Sequence, residues 1–435
     1  MIQNSSDFET CVAKLELLSI MPKEMPGIEK IKRALTDASW FSLVDAKKVI
    51  VVAGTNGKGS TCAILESLLV KAGKTVGFYS SPHLIDTTER IRVNRKQISK
   101  NEFVKLYQRN LAGIEKFELT HFEALTLMAA DYFFSDTRAK PLDFVIFEVG
   151  LGGTFDATNA IPHATSVVTA LSLDHMNILG HDLLSIAKNK FGIIQSGNLV
   201  VHHPLPTELI DLQNKTQKNT NSIWYQAAAV SLEKTRSKDL GCAASYVLQT
   251  KWGSGRLNLL GQRAAENAAI ALTVFEKLGF DPKLSLTALA EVDWQGRMQQ
   301  IRWPSLKAAL YVSGDHNPHG VDSLLQLLGD FSWENIYVIV GIGKDKDAQQ
   351  ILQRLVSLRN CILCLTETPF KGLALAEYSE KFQELSKFSN AHVAGCLDAV
   401  AAKATANDIV LVTGSLYLVG DVLKKVAAYK QAAQN

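Results

Sequence analysis

Val51-Val-Ala-Gly-Thr-Asn-Gly-Lys-Gly-Ser60 joins an apolar run to a glycine-rich turn that carries a lysine and a hydroxyl group. That composition describes a phosphate-binding loop. Lys48 to Ala53 is β-branched and apolar enough for a buried strand, and Lys58 to Ala72 puts Cys62, Leu65, Leu68 and Leu69 on one helical face. A strand, a turn and a helix meet here. Glycines at 54, 57 and 59 let main-chain amides close around an anion. The helix N-terminus adds partial positive charge and Lys58 a full one. Ser60 or Thr61 could then hold a magnesium ion. The spacing departs from G-x-x-x-x-G-K-[ST]: Val52 stands where the first glycine belongs, and Gly59 separates the lysine from the serine. Nucleotide chemistry is the leading reading.

The chain has 435 residues, more than one ordinary domain, with 47% hydrophobic and 20% charged residues, a globular composition that predicts two domains. Its 46 basic and 43 acidic side chains leave a net charge of +3 without a lysine or arginine block. That excludes a nucleic-acid or anionic-membrane footprint and points to a small ligand. MIQNSSDFET lacks a basic region and an apolar core, and no segment reaches the roughly 18 apolar residues of a membrane span. A cytoplasmic enzyme is expected. The six cysteines are scattered, and the pair Cys361 and Cys364 lies in an apolar strand pattern, which reads as reduced thiols and not as zinc ligands.

Apolar strands alternate with amphipathic helices, near 48–53, 75–80, 143–149 and 165–171, then near 308–313, 335–341, 360–366 and 408–413. This alternation predicts parallel sheets covered by helices. Short strand-like pieces among polar turns, Ser222 to Gln226 and Ala244 to Gln249, suggest a small β-rich addition near 198–260. The glycine in Trp294-Gln-Gly-Arg297 marks the domain boundary, giving domains 1–296 and 297–435.

Phe144-Val-Ile-Phe-Glu148 is a buried strand ending on a carboxylate and then a glycine loop, a place where doubly wound sheets gather functional groups. Glu148 is a candidate magnesium ligand beside the phosphate-loop hydroxyl, or a surface glutamate at a strand end. Thr165 to Leu171 runs into Ser172-Leu-Asp-His175, again placing polar side chains at a strand end. Three successive strand ends with such groups point to one site.

Together with V-A-G-T-N-G-K-G-S-T, the segments Y-S-S-P-H-L then E-R-I, F-E-V-G-L-G-G with D-A-T-N, D-H with L-G, and T-G-S-L-Y-L-V-G resemble the folylpolyglutamate synthase and dihydrofolate synthase family of the Mur ligase superfamily. The matches run in order from Pro26-Gly27 to Gly420. The resemblance implies a Mur-ligase-like central domain with the phosphate loop, followed by a smaller Rossmann-like domain. It implies an ATP-dependent amide ligase that phosphorylates a carboxylate of dihydropteroate or a folate and lets the amine of L-glutamate attack the acyl phosphate. ATP and magnesium are the implied cofactors, with a monovalent cation as a further candidate, and a monomer is the implied state.

By the same resemblance, Thr55, Asn56, Gly57, Lys58, Gly59 and Ser60 bind ATP, Arg297 reaches its phosphates and Asn267 its adenine. Ser60, Ser81, Glu148 and His175 resemble metal ligands. Lys190 stands where the family carries a carbamylated lysine, N6-carboxylysine, although Asn189 and Phe191 depart from the local pattern. Thr120-His121-Phe122-Glu123 and Phe155-Asp156-Ala157 match segments that bind dihydropteroate, and His316 and Ser415 match residues near the ATP and glutamate end. An aromatic ring to stack on a pterin and a carboxylate to accept its N–H groups suit that ligand. Where the family has an aspartate in D-G-A-H-N-P, this chain reads Ser313-Gly-Asp315-His316-Asn317-Pro318. Residues two apart on a strand share a face, so Asp315 takes over from Ser313 in contacting the ribose if the strand persists, and otherwise caps the next helix. A Mur-type ligase acting on a cell-wall nucleotide is the alternative enzyme, opposed by Y-S-S-P-H-L and D-A-T-N. A non-catalytic nucleotide- or folate-binding member is the alternative suggested by Ser313, Gln295 and Gly372.

Overall fold

The computed structural model describes residues 5–18, 27–135, 140–235, 237 and 239–432. Met1 to Asn4 of the amino-terminal stretch and Pro26 of the first family match lie outside the described residues. The chain forms two compact units: Met1–Val230 with Thr250–Gly253 and Glu266–Val292, and Ser231–Gln249 with Ser254–Ala265 and Asp293–Asn435. Among the described residues no helix is long and apolar enough to cross a membrane.

In the first unit, β1 (Val49–Ala53), β2 (Val76–Tyr79), β3 (Ile91–Val93), β4 (Lys96–Gln97), β5 (Phe144–Glu148), β6 (Thr165–Val168), β7 (Leu199–His202) and β8 (Ile223–Gln226) form one sheet in the order β4-β3-β2-β5-β1-β6-β7-β8. The strands from β2 to β8 in that order run parallel, while β3 and β4 turn back as an antiparallel edge. Every residue of β1 is buried, which is why its sequence is continuously apolar and not alternating. Because β1 lies between β5 and β6, the loops that follow these three strands leave neighbouring points of one sheet edge. Ile223–Gln226, which reads in sequence as part of the β-rich addition, is instead the outermost parallel strand of this sheet.

The helix Lys58–Lys71 is buried from Gly59 to Leu69, so the single apolar face visible in its sequence understates its burial. One side lies on the sheet, and the other is covered by the turn Pro282–Glu291, to which Ser67 Oγ donates at Ala288 O, 3.1 Å. This leaves Glu66 with no exposure, and Arg92 on β3 answers it with an ion pair. The Arg95 amide donates to its second oxygen at 2.8 Å. Burial pushes the Glu66 carboxyl up and the Arg92 guanidinium draws it back, burial being the larger influence. Arg92→Ala is expected to lower stability by about 3 kcal/mol, because removing one partner leaves the other charge buried alone. Urea unfolding followed by circular dichroism measures it, and a loss under about 1 kcal/mol would show that Glu66 finds other compensation.

The second unit holds a small three-stranded sheet of β9 (Ser231–Thr235), β10 (Ser245–Thr250) and β11 (Gly253–Leu257), in the order β11-β10-β9. Its main sheet contains β12 (Gln299–Ile301), β13 (Ala309–Val312), β14 (Ile336–Val340), β15 (Cys361–Thr366), β16 (Phe388–Asn390) and β17 (Ile409–Thr413). Their order is β12-β13-β17-β14-β15-β16, parallel except for β12 at the edge. The helix Pro318–Leu328 follows β13 through a start typical of its sequence: Asn317 Oδ1 accepts from Gly320 N at 2.7 Å and proline takes the first helical position. Asn317, not Asp315, is therefore the cap of that helix.

Candidate active site

The turn after β1 is stitched to the turn after β6. The Thr55 and Asn56 amides donate to Ala170 O at 2.9 and 3.3 Å. Thr55 Oγ1 donates to Ser172 O at 3.0 Å and accepts from Ser172 N at 3.1 Å, and Asn56 Nδ2 reaches Ser172 Oγ at 3.2 Å. These contacts end β6 at Val168, three residues before the apolar run in the sequence stops. Gly54 and Gly57 have φ of +146° and +91°. A Cβ on Gly54 would collide with Thr169 Oγ1, and one on Gly57 with the Asn267 amide, so both conformation and space require glycine. The loop is held open in front of the helix Lys58–Lys71, with Ser60 and Thr61 buried in its first turn. Thr61 Oγ1 is buried with no hydrogen-bond partner among the described residues.

Two lysines converge on this loop. Lys58 Nζ donates to Gly54 O at 3.1 Å and to Thr55 O at 3.3 Å, and Lys190 Nζ, from the last turn of the helix Leu183–Phe191, donates to Gly54 O at 2.8 Å. Burial holds the Lys190 amine down to about 7, and the Lys58 charge pushes the same way against Asp174 and Asp156. Cations crowded on one carbonyl, beside the amides of a helix N-terminus, suit an anion or an anionic modification.

Glu148 ends β5 buried, and its Oε2 accepts from the Ser81 amide at 3.2 Å, which joins the loop after β2 to the same place. Burial first, and then the Glu148 charge, raise the buried Cys62 thiol of the helix Lys58–Lys71. His175 adopts φ +48° at the head of the short helix Met176–Leu179, its amide donating to Asp174 Oδ1 at 2.9 Å and its Nε2 lying 4.0 Å from that oxygen.

Of the segments matched to the pterin, Phe122 lies over Gly150, where a Cβ would come within 2.6 Å of its ring, and 5.9 Å from the Tyr79 ring. Phe155 is exposed in the same glycine loop and Ala157 is buried. Glu123 turns back onto the Thr120 amide and hydroxyl at 2.9 and 2.8 Å, a capping box. Asp156 is buried and accepts from the Gly150, Leu151 and Thr158 amides at 3.0, 2.9 and 3.0 Å, organising its own loop. Burial pushes its carboxyl up. His121 Nδ1 lies 3.0 Å from Leu15 O, and burial lowers the ring's proton affinity.

In the second unit β13 ends at Val312, so Ser313 and Asp315 stand on the loop beyond it, yet they meet: Ser313 Oγ donates to Asp315 Oδ2 at 2.7 Å. Arg263 Nη1 donates to the other oxygen at 3.2 Å. Gly414 N donates to Asp315 O at 3.1 Å, which brings Ser415, at the head of the helix Leu416–Ala432, to the same loop. His316 Nδ1 lies 2.8 Å from Gly314 O. Arg297 Nε is buried with no hydrogen-bond partner among the described residues.

Residues 52–275 match the Mur ligase middle domain, and residues 296–416 match the Mur ligase glutamate ligase domain. The dihydrofolate synthase/folylpolyglutamate synthase of Bacillus subtilis (strain 168) is 31% identical over 391 residues, covering 86% of this chain and 89% of that protein. The protein of the same name from Escherichia coli (strain K12) is 30% identical over 415 residues, covering 94% and 93%. The chain belongs to the dihydrofolate synthase/folylpolyglutamate synthase family. It is accordingly an ATP-dependent ligase. Among solved members of the family, a bifunctional enzyme with Mn, AMPPNP and L-glutamate bound has a TM-score of 0.80 at 27% identity, covering 97% of this chain and 98% of its own. The E. coli enzyme FolC in complex with DHPP and ADP has a TM-score of 0.79 at 29% identity, covering 99% and 100%.

Some of the contacts that shape these loops come from far along the chain. Thr169 and Ser172 act on the phosphate loop across 116 or more residues. Arg263 acts on Asp315 across 52. Contacts at such separations leave no periodicity to read.

Proposed function

We propose that this family member joins L-glutamate to dihydropteroate or a folate. The observation that carries the assignment of the reacting centre is the convergence of Lys58 and Lys190 on Gly54 O. The chemistry has two steps. The acid's carboxylate oxygen attacks the γ-phosphorus of ATP and ADP leaves; the glutamate amine then attacks the acyl carbon, forming the amide and releasing phosphate and a proton. The first step spreads negative charge over phosphate oxygens, so fixed donors and cations are what it requires. The amides of Gly57, Lys58 and Gly59 would supply the donors, those of Thr55 and Asn56 being taken by Ala170 O, with Lys58 turning from the loop carbonyls to the phosphates and Arg297 adding a second cation. Asn267, whose amide lies against Gly57, would flank the adenine. Phe122 and Phe155 would take the pterin, and His316 and Ser415 the glutamate end.

The residues present fit a magnesium ion. Ser60, Ser81, Glu148 and His175 would hold it, and among the described residues no three His, Cys, Asp or Glu side chains form a complete cage. Magnesium keeps waters and phosphate oxygens and needs only one or two protein carboxylates. When bound it withdraws charge from the phosphate oxygens. Glu148→Gln and His175→Ala are each expected to raise the magnesium concentration for half-maximal activity about tenfold, the loss of one ligand to the ion. A magnesium titration on either variant that overlays wild type would place these residues outside the metal site.

The proposal is tested by ADP release from purified protein with magnesium and ATP. Release that requires dihydropteroate or a reduced folate together with glutamate supports it. Release that requires neither, or no release, overturns it.

A further inference from the structure

Arg297 is bracketed by two residues with left-handed backbone, Gly296 at φ +72° and Met298 at φ +48°. Glycine takes that conformation at no steric cost and methionine does not, so the turn has to be held from outside. The segment after β13 holds it. Gly314 N donates to Gly296 O at 2.9 Å, and Met298 N donates to Ser313 Oγ at 3.2 Å. The serine hydroxyl has a single proton, and at 2.7 Å it goes to Asp315 Oδ2, which leaves an oxygen lone pair facing the Met298 amide. Arg263 fixes the carboxylate from the other side at 3.2 Å while its Nη2 donates to His319 O at 2.7 Å, and it also bonds the Ser323 hydroxyl. Both carboxylate oxygens are therefore engaged inside the protein.

We infer that Ser313 and Asp315 are positioning residues for Arg297. The chain of bonds from Arg263 through Asp315 and Ser313 to the Met298 amide fixes the turn that carries the guanidinium, whose buried Nε has no partner among the described residues and so suits an incoming anion. An aspartate at 313 has no proton to give Asp315, so the serine and the displaced acid form a matched pair. The inference rests on the assignment of Arg297 to the nucleotide phosphates. It differs from a direct contact between Asp315 and the ribose, and the two are separable.

Dissociation constants for ATP and for 2′,3′-dideoxy-ATP, measured by calorimetry on the whole chain, decide it. Ser313→Ala and Asp315→Asn are each expected to weaken both nucleotides by the same factor, roughly fivefold for one lost hydrogen bond. Ser313→Thr keeps the hydroxyl and is expected to bind as wild type. In an Arg297→Ala background, Ser313→Ala is expected to cause no further loss. A loss seen with ATP and absent with the dideoxy nucleotide would overturn the inference in favour of a ribose contact. Losses that multiply in the double variant, or no loss in Ser313→Ala, would also overturn it. Arg297→Ala binding ATP as tightly as wild type would instead remove the phosphate assignment, and the inference with it. Should Asp315→Asn fail to fold, as its melting curve would show, the serine variants decide alone.

Discussion

Lys58→Ala is expected to lower kcat by a thousandfold or more, about 4 kcal/mol of transition-state stabilisation, while its melting temperature stays within about 2 °C of wild type. The asymmetry follows from what the ammonium touches. Its partners are the loop carbonyls Gly54 O and Thr55 O, so removing it strands no buried charge. It also relieves repulsion with Lys190, whose amine stays held down mainly by burial. Lys58→Arg is not expected to restore the rate, because a planar fork does not fill the place of a compact ammonium. Steady-state kinetics and a thermal melt measure both halves, and a variant keeping more than about a tenth of kcat would exclude Lys58 from the transition state.

Lys190→Ala is expected to cost at least a hundredfold in kcat and to be partly rescued by added formate or acetate. As a carbamate the side chain would place an anion where two cations now share one carbonyl, and a small carboxylate can stand in for it. The pH dependence has a definite sign. With the amine held down to about 7, raising the pH through neutrality converts it to the free base that reacts with carbon dioxide, and lowering the pH returns it to an unreactive ammonium. Enzyme stripped of carbon dioxide should regain activity with bicarbonate readily at pH 8 and poorly at pH 6. Recovery that is equal at both, or a Lys190→Ala variant with full activity, would make this an ordinary buried lysine.

The strand-end placement of several candidate residues was legible in the sequence for a simple reason: strands can be found by their apolar runs, and the residues at or past their ends must lie at the sheet edge. Gly54, Lys58, Glu148 and His175 are of this kind. Lys190 is not, since its meeting with Gly54 spans 136 residues and comes from a helix with ordinary periodicity; only the family resemblance singled it out. Burial of the helix Lys58–Lys71 on every side was hidden because the turn that covers it, Pro282–Glu291, lies far along the chain. Ile223–Gln226 is exposed at both ends and only half-buried between them, as an edge strand can be, so nothing local distinguishes joining the large sheet from joining the small one. The acid displaced from 313 to 315 was visible, but its tie to Arg263 and the turn around Arg297 was not, since Arg263 comes from the helix Gln262–Lys277, 52 residues away, and the other partners stand on loops.

In the proposed reaction the acid is activated by phosphoryl transfer from ATP before the amide forms, and labelled oxygen in the acid's carboxylate follows that transfer. Dihydropteroate carrying ¹⁸O in its carboxylate is turned over with magnesium, ATP and L-glutamate, and the released nucleotide and inorganic phosphate are analysed by mass spectrometry. One labelled oxygen in phosphate for each amide formed, with ADP unlabelled, is the predicted result. Label in AMP, or amide formed with unlabelled phosphate, would contradict it.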